Sequence, residues 1–503
     1  MRTNHRGLHG LSLAALALAC SSAFAAQVES GLDARALRDG RVEALIVLAD
    51  QSEPVLAPLA ADADFRLRRR TLVDTLRARA GRDQADLLDV LAARGVEHRA
   101  YWIANVVWAR LSEADLAALR GRTDISAIRA NPHIDAALPR PVAGTREATI
   151  PDSIAWGVAK INAPSVWAAG DTGQGVVIGG EDTGYQWDHP ALKPHYRGWN
   201  GTTADHNYNW HDSIHDSPSN PCGNNAPAPC DDFGHGTHTA GTFAGDDGAT
   251  HQVGVAPGAK WIGCRNMDNG DGTPARYIEC MQWMLAPTNL AGTNPNPDLA
   301  PDVISNSWGC IPSEGCTSGN EIRAAVQNLV AGGIFYAAAA ANDGPGCSSI
   351  TDPPAIYDAS FTIGATDSSD ALASFSSRGP VPRAPRLTSR QPIKPDVSAP
   401  GVSVPSAWPP NTYTNLSGTS MATPHVAGAA ALLMSADPAL KGHPDQVADL
   451  LRDTAVTAGV TDPVNQTCGG TPRTTWPNNM IGYGRIDVFA AYQAATSRRP
   501  AGK

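Results

Sequence analysis

The stretch Gly418-Thr419-Ser420-Met421-Ala422-Thr423-Pro424-His425-Val426-Ala427-Gly428 places a serine at the mouth of an apolar segment that reads as a buried helix over residues 420–436. At a helix start, free backbone N–H groups and the positive end of the dipole favour a negative oxygen developing nearby. A serine hydroxyl is a poor nucleophile alone, so a base must come from elsewhere in the chain. His235, in Gly234-His235-Gly236-Thr237-His238, supplies an imidazole whose near-neutral titration suits a base that later returns its proton. Asp182 ends the apolar run 175–182, just before Thr183-Gly184. A carboxylate there can accept the imidazole Nδ1–H, fix the tautomer and stabilise the imidazolium. Two other histidines compete for a role. His238 lies one turn after His235, but a zinc-binding helix of the His-Glu-x-x-His kind needs a glutamate where Gly236 stands, so no zinc is expected. His425 reads as a packed helix histidine.

The chain has 503 residues, enough for more than one domain, and is only 17% charged, with 48 glycines and 39 prolines. That texture suits a loop-rich exported enzyme. The formal charge of −10, most of it after about position 150, and the lack of a basic patch exclude nucleic acid as a partner. Residues 1–25 read as an export signal: Arg2, His5 and Arg6, then the apolar run 11–19, then Ala23-Phe24-Ala25. The run is too short to span a bilayer and no later segment is long enough, so a secreted protein is expected, extracellular or periplasmic in transit, with no membrane partner. Eight cysteines remain once Cys20 leaves with the signal, all after position 220. An even number in an exported domain points to disulfides, with Cys222–Cys230 and Cys310–Cys316 as local bridges. Eight cysteines allow 105 pairings, so the remainder stay open.

Five segments follow. Residues 1–25 are the signal; 26–135 form a small α+β domain; 136–150 are a proline-containing linker; 151–497 are the main domain; 498–503 are a tail. In the small domain, residues 42–48 read as a strand, 64–94 as helix, 101–109 as a strand, 112–119 as a short capped helix, and 125–130 as a closing strand. Arg140 and Arg146 are candidate cleavage positions in the linker. The main domain alternates apolar runs (175–182, 302–309, 333–340) with helical stretches (235–245, 274–286, 320–331, 420–436), which implies a parallel sheet covered by helices. Chemistry in such sheets gathers at the carboxyl ends of strands, where Asp182 and Asn342 fall. Residues 200–232, with Trp210, His211, Asp212, His215 and Asp216, read as a solvated inserted loop pinned by Cys222 and Cys230. Residues 268–272 read as a plain turn rather than a calcium loop, since the later glutamate of an EF-hand is missing.

The order Asp182, His235, Ser420 and the motifs around them resemble the subtilisin-like serine proteases. Trp156-Gly157-Val158, Trp187-Asp188-His189-Pro190, residues 255–262, Asn306-Ser307-Trp308-Gly309-Cys310 and Phe375-Ser376-Ser377-Arg378-Gly379-Pro380 are similar to the bacillopeptidase F group. The resemblance covers residues 150–497, and 30–135 more weakly. It implies an α/β fold, a subtilisin-like three-layer parallel sheet with helices on both faces, preceded by a small α+β propeptide domain of β-α-β-β-α-β order that acts as inhibitor and chaperone. It also implies a serine endopeptidase in which Ser420 attacks, His235 shuttles the proton and Asp182 orients His235. Asn342 would pair with the Ser420 N–H as oxyanion donor. Ser305, Asn306, Ser307, Trp308 and Gly309 would line the specificity pocket and pair with extended substrate, with Trp308 as a wall and Asp343 at the rim. Protein or peptide substrates and the protein's own propeptide are the expected partners, and a monomer is expected. No cofactor is required; a structural calcium stays open without an assigned site. Two departures stand out: Ala341 precedes Asn342 where the family has glycine, and Ala191 follows His189-Pro190 where many subtilisins place a calcium-binding Asp. Two rivals are a sedolisin-like acid peptidase, which uses a Glu base and lacks the His235 motif, and a non-catalytic binding protein on the same scaffold.

Overall fold

Short apolar runs, covered by helices on both faces, assemble into one seven-stranded sheet in which every neighbouring pair is parallel. The computed structural model describes residues 26–51, 64–131, 134–135, 138–140, 153–218, 220–310, 316, 318–382 and 393–497. The export signal 1–25, most of the linker including Arg146, and the tail 498–503 lie outside the described residues. Across the sheet the strands run Val397–Pro400, Phe361–Thr366, Phe335–Ala339, Val303–Asn306, Val177–Asp182, Lys260–Arg265 and Trp210–Asp212. Successive residues on a strand face opposite sides. Val303, Phe335 and Ala337 accordingly join one core, with the helices His235–Ala244 and Thr419–Ala436. Ile304, Tyr336 and Ala338 join the other, with Pro274–Leu285 and Arg323–Ala331. Three layers result, as expected. From Val177–Asp182 the chain goes first to Trp210–Asp212 at the edge, then to Lys260–Arg265 between the two, and then crosses to Val303–Asn306 on the other side. The order therefore reverses beside the carboxyl end of the strand that carries Asp182, the place where α/β sheets hold ligands.

The insert at 200–232 is solvated only in part: residues 201–203 and 223–225 are exposed, whereas 209–210 and 212–214 are buried. Trp210 is buried and Trp210–Asp212 extends the sheet edge, pairing with Gly263–Arg265. What draws it in is Arg265, buried at the end of its strand and paired with Asp212 at 3.4 Å, Asp268 at 3.4 Å and Asp232. A buried guanidinium requires such partners, and they come from the insert and the turn beside it. Residues 268–272 do form a turn: Asn269 (φ 51°) and Gly270 (φ 90°) join the two-residue strands Met267–Asp268 and Asp271–Gly272. Disulfides link Cys222–Cys230 and Cys310–Cys316, and also Cys264–Cys280 and Cys347–Cys468, the two pairs that spacing left open.

The N-terminal domain has helix and strand where expected, with two corrections. Residues 64–94 are two helices, Phe65–Asp83 and Ala85–Ala93, separated at Gln84, whose amide turns inward to Tyr101 O and Asn105 Oδ1. Residues 101–109 are not one strand. His98–Tyr101 and Val106–Leu111 form a hairpin that turns at Asn105, a left-handed residue whose side chain bonds Asp50 O and Asp83. A further strand and helix, Gln27–Val28 and Leu32–Asp39, precede the expected core. Val42–Leu48 lies between Val106–Leu111 and Ile125–Ala130, antiparallel to both. Both faces of this sheet are apolar. Ala44, Ile46, Val107 and Ala109 pack under the domain's own helices, whereas Leu45, Val106 and Trp108 belong to the core shared with the main domain. A sheet with no polar face needs a partner surface, and helix Pro274–Leu285 provides it. Glu279 accepts from Tyr101 Oη at 3.0 Å, Gln282 Oε1 accepts from Trp102 and Ile103 N–H, and Asn131 Oδ1 accepts from Ala275 N–H at the helix start.

One buried residue breaks the apolar pattern. Glu181 is fully buried on an inner strand, and neither carboxylate oxygen has a hydrogen-bond partner among the described residues. Burial pushes its carboxyl well above the usual range, so it folds as the neutral acid. A raised folded-state value means stability is complete below the ordinary Glu range and is lost as pH rises, because the unfolded chain ionises freely. Glu181→Gln, in a Ser420→Ala background that prevents autolysis, is expected to raise Tm by a few degrees near pH 9. The gain should shrink toward pH 4, and calorimetry across that range reads it directly.

Candidate active site

Asp182 is the last residue of its strand and His235 the first of its helix, so sheet and helix meet at their side chains. His235 Nδ1–H donates to Asp182 Oδ1 at 2.7 Å, and the same oxygen accepts Thr183 N–H at 2.8 Å. Thr239 Oγ1 approaches Oδ2 at 3.4 Å. Both side chains are buried, Asp182 at 1% exposure and His235 at 0%. The helix can come this close because Gly236 has no side chain: a Cβ there would stand 2.1 Å from Gly184 O. The turn into the helix is held by Asp231, which accepts from Gly234 N–H at 2.7 Å, Thr237 N–H at 2.9 Å and Thr183 Oγ1 at 2.9 Å. Sequence reading passed over Asp231; its spacing before Gly-His-Gly-Thr, an acid facing the free N–H groups of a helix start, was the available signal.

The other two histidines are committed elsewhere. His238 Nε2–H points at Val404 O and Thr414 O, and burial drives its titration down to about 3. His425 donates Nδ1–H to Met421 O, and burial lowers it to about 4. Neither can take a proton near neutral pH in this setting.

Ser420 is the second residue of helix Thr419–Ala436. Its Oγ donates to Ser307 O at 2.8 Å, and Ser307 Oγ donates to Ser420 O at 3.0 Å. The second bond has a reason in the sequence. Pro424 sits four residues on, inside the helix, and has no N–H to give to Ser420 O. Ser307 takes its place. His235 Nε2 has no hydrogen-bond partner, and no bond joins it to Ser420 in this arrangement. A hydroxyl rotation from Ser307 O toward His235 would be needed to form one, a common state before substrate arrives.

Asn342 follows strand Phe335–Ala339. Its Oδ1 accepts from Thr419 N–H at 2.9 Å and Thr419 Oγ1 at 3.1 Å, which turns Nδ2 outward. Nδ2 and the Ser420 backbone nitrogen both lie 3.6 Å from the point where a Gly418 Cβ would stand, so two donors flank one space. Ala341 holds φ 75°, a left-handed conformation that costs a residue with a Cβ about 1 kcal/mol. This explains why glycine suits that position.

The segment 305–309 divides. Ser305 and Asn306 lie in a strand paired on both sides, so their backbone is used within the sheet. Asn306 also bonds Tyr336 Oη and Trp308 O. Trp308 is buried, stacked on Tyr277 at 3.7 Å with Nε1–H on Glu181 O. It is a support behind the segment rather than an open wall. Ser307 and Gly309 lie beyond the strand end. A second strand, missed in the sequence, is Asp271–Gly272, which pairs antiparallel with Ile134–Asp135 from the end of the N-terminal domain. The chain then crosses the site. Pro139 Cγ lies 2.8 Å from the Gly418 Cβ position, and Arg140 stacks over Phe233 at 4.0 Å.

Comparison with known proteins agrees with this geometry. Residues 173–484 match the model of the Subtilase family. The chain is similar to Bacillopeptidase F of Bacillus subtilis (strain 168), 39% identical over 353 residues, covering 69% of this chain and 22% of that protein. It is also similar to Subtilisin E of the same strain, 34% identical over 309 residues (61% of this chain, 67% of the other). Subtilisin DY of Bacillus licheniformis is 35% identical over 309 residues, 61% of this chain and 93% of the other. The chain therefore belongs to the subtilase family, a family of serine endopeptidases. Among the described residues no helix is long and apolar enough to cross a membrane, and the four disulfides fit an oxidising compartment.

Proposed function

We propose that this protein is a secreted serine endopeptidase made as a precursor, acting on protein or peptide substrates. The observation that carries the reading is the buried 2.7 Å contact of Asp182 and His235, on a helix packed against the one that carries Ser420, together with the paired donors of Asn342 and the Ser420 backbone. As the Ser420 Oγ–carbon bond forms, His235 Nε2 takes the hydroxyl proton, and Asp182 stabilises the imidazolium. The carbonyl oxygen becomes an oxyanion between Asn342 Nδ2–H and Ser420 N–H. The carbon–nitrogen bond then breaks and His235 protonates the leaving amine. Water repeats the sequence on the acyl-enzyme and frees Ser420. Extended substrate would pair with Ser307–Gly309 on one side and Asp271–Gly272 on the other. Labelling of the matured protein by a fluorophosphonate tests this: adduct mass on the peptide containing Ser420 is expected, and absence of labelling in folded protein overturns the reading.

Residues 26–135 are proposed to be a propeptide that assists folding and then blocks the cleft. Support comes from the apolar core they share with the main domain and from Pro139 seated at the oxyanion space. Cleavage within 136–150 is proposed to be the work of Ser420 itself. Full-length Ser420→Ala protein, produced in a protease-free host, is expected to keep this domain covalently attached, by intact mass and N-terminal sequencing. Normal cleavage of that variant would overturn self-processing by Ser420.

A further inference from the structure

The oxyanion space fixes where the substrate carbonyl sits, and with it the side chain of the residue that donates the acyl group. That side chain must lie between the segment after Ser307 and the turn that carries Asn342. Gly309 lines one side, and beneath it stands Asp352. A Cβ at Gly309 would meet Asp352 Cβ at 3.0 Å and Oδ2 at 3.4 Å, so the missing side chain lets the carboxylate lie directly against this segment. Cys310 N–H donates to Pro353 O at 2.9 Å, which clamps the turn against the segment. Asp352 is 2% exposed. Its Oδ1 accepts from Thr351 Oγ1 at 2.8 Å. On the other side Asp343 follows Asn342 directly, its N–H held by Ser377 Oγ at 2.9 Å.

Burial, with the nearby charge of Asp343, pushes Asp352 up to about 7. Burial also raises Asp343. Among the described residues no lysine, arginine or histidine side chain pairs with either acid. A carboxylate held at 2% exposure without a counter-ion is costly, and a cation that enters the space removes the cost. An apolar side chain entering instead would bury the acid further and leave it unpaired.

We infer that Asp352 and Asp343 form the pocket for the residue on the acyl side of the scissile bond, and that this residue is arginine or lysine. The inference rests on the peptidase reading above and adds the substrate class. Asp352 at the base provides the buried acceptor and Asp343 at the rim a second, more accessible charge. Arg140 stacks on Phe233, outside this pocket, so the cationic residue bound here comes from substrate or from another part of the linker.

The test uses the matured protein and peptides identical except at the acyl-side residue: arginine, lysine, leucine or phenylalanine. Near pH 8, kcat/KM for arginine and lysine is expected to exceed that for leucine and phenylalanine at least about tenfold. Asp352→Asn is expected to lower the arginine-to-leucine ratio about 10–100-fold, and Asp343→Asn by a smaller factor. Should Asp352→Asn fail to fold, competitive inhibition of the unsubstituted enzyme by benzamidine gives the same information, since an aromatic amidinium fits the same pocket. Preference for leucine or phenylalanine, a ratio unmoved by Asp352→Asn, or no competition by benzamidine overturns the inference. If fluorophosphonate still labels Ser420 and leucine peptides are cut, the peptidase reading stands and the specificity alone has failed. If no peptide is cut and no label is taken, the failure lies in the peptidase reading.

Discussion

Ser420→Ala is expected to reduce kcat about 10⁶-fold, the loss recorded in subtilisin when its nucleophilic serine is removed. The fold should survive, because alanine is a strong helix former and the lost hydroxyl makes a single bond, to Ser307 O. A residual rate of about 10³–10⁴ over water should persist from the oxyanion donors and from binding. Single-turnover peptide hydrolysis with far-UV circular dichroism separates the two effects. A loss below about 100-fold in a folded, contaminant-free preparation would exclude Ser420 as the nucleophile.

Asn342→Ala should lower kcat about 10²–10³-fold, the cost of losing the side-chain oxyanion donor in subtilisin. Its effect on KM should be much smaller, because the amide meets the substrate oxygen at full strength only when that oxygen becomes tetrahedral and negative. The substitution also removes the acceptor for Thr419 N–H at the helix start. A modest loss of stability, about 1 kcal/mol, is therefore expected alongside the kinetic effect. A change confined to KM would instead make Asn342 a substrate-binding residue. Asn342→Asp keeps the acceptor for Thr419 and removes the donor, so it should lose kcat without that stability cost.

Much of this site could be read from the sequence, because each principal residue sits in a local pattern. Asp182 ends an apolar run, His235 opens a helix of small residues, and Ser420 stands at the mouth of another. Those patterns depend on neighbours a few positions away, which is the range over which a chain displays its periodicity. What escaped depends on distant partners. Arg265 draws Asp212 and Asp232 from an insert more than 30 positions earlier, so part of a stretch rich in Trp, His and Asp that reads as solvated is buried. Trp308 looks like a pocket wall until Tyr277 is found stacked behind it. Asp352 lies 43 positions from Gly309 and carries no motif, and only the folded turn brings it beneath that residue. Glu181 reads as one more member of a strand. Its burial without partners is a property of the assembled layers.

Pro424 gives Ser420 an unusual dependence. An ordinary helix carries its first turns on its own ladder, and its geometry is then indifferent to neighbouring strands. Here the carbonyl of Ser420 is left to a hydroxyl from Ser307, and the Ser420 hydroxyl rests on the Ser307 carbonyl, so two residues 113 positions apart hold one another by a double clasp. A change at Ser307 therefore reaches the carbonyl and the hydroxyl of Ser420 together, although the two residues stand on different elements.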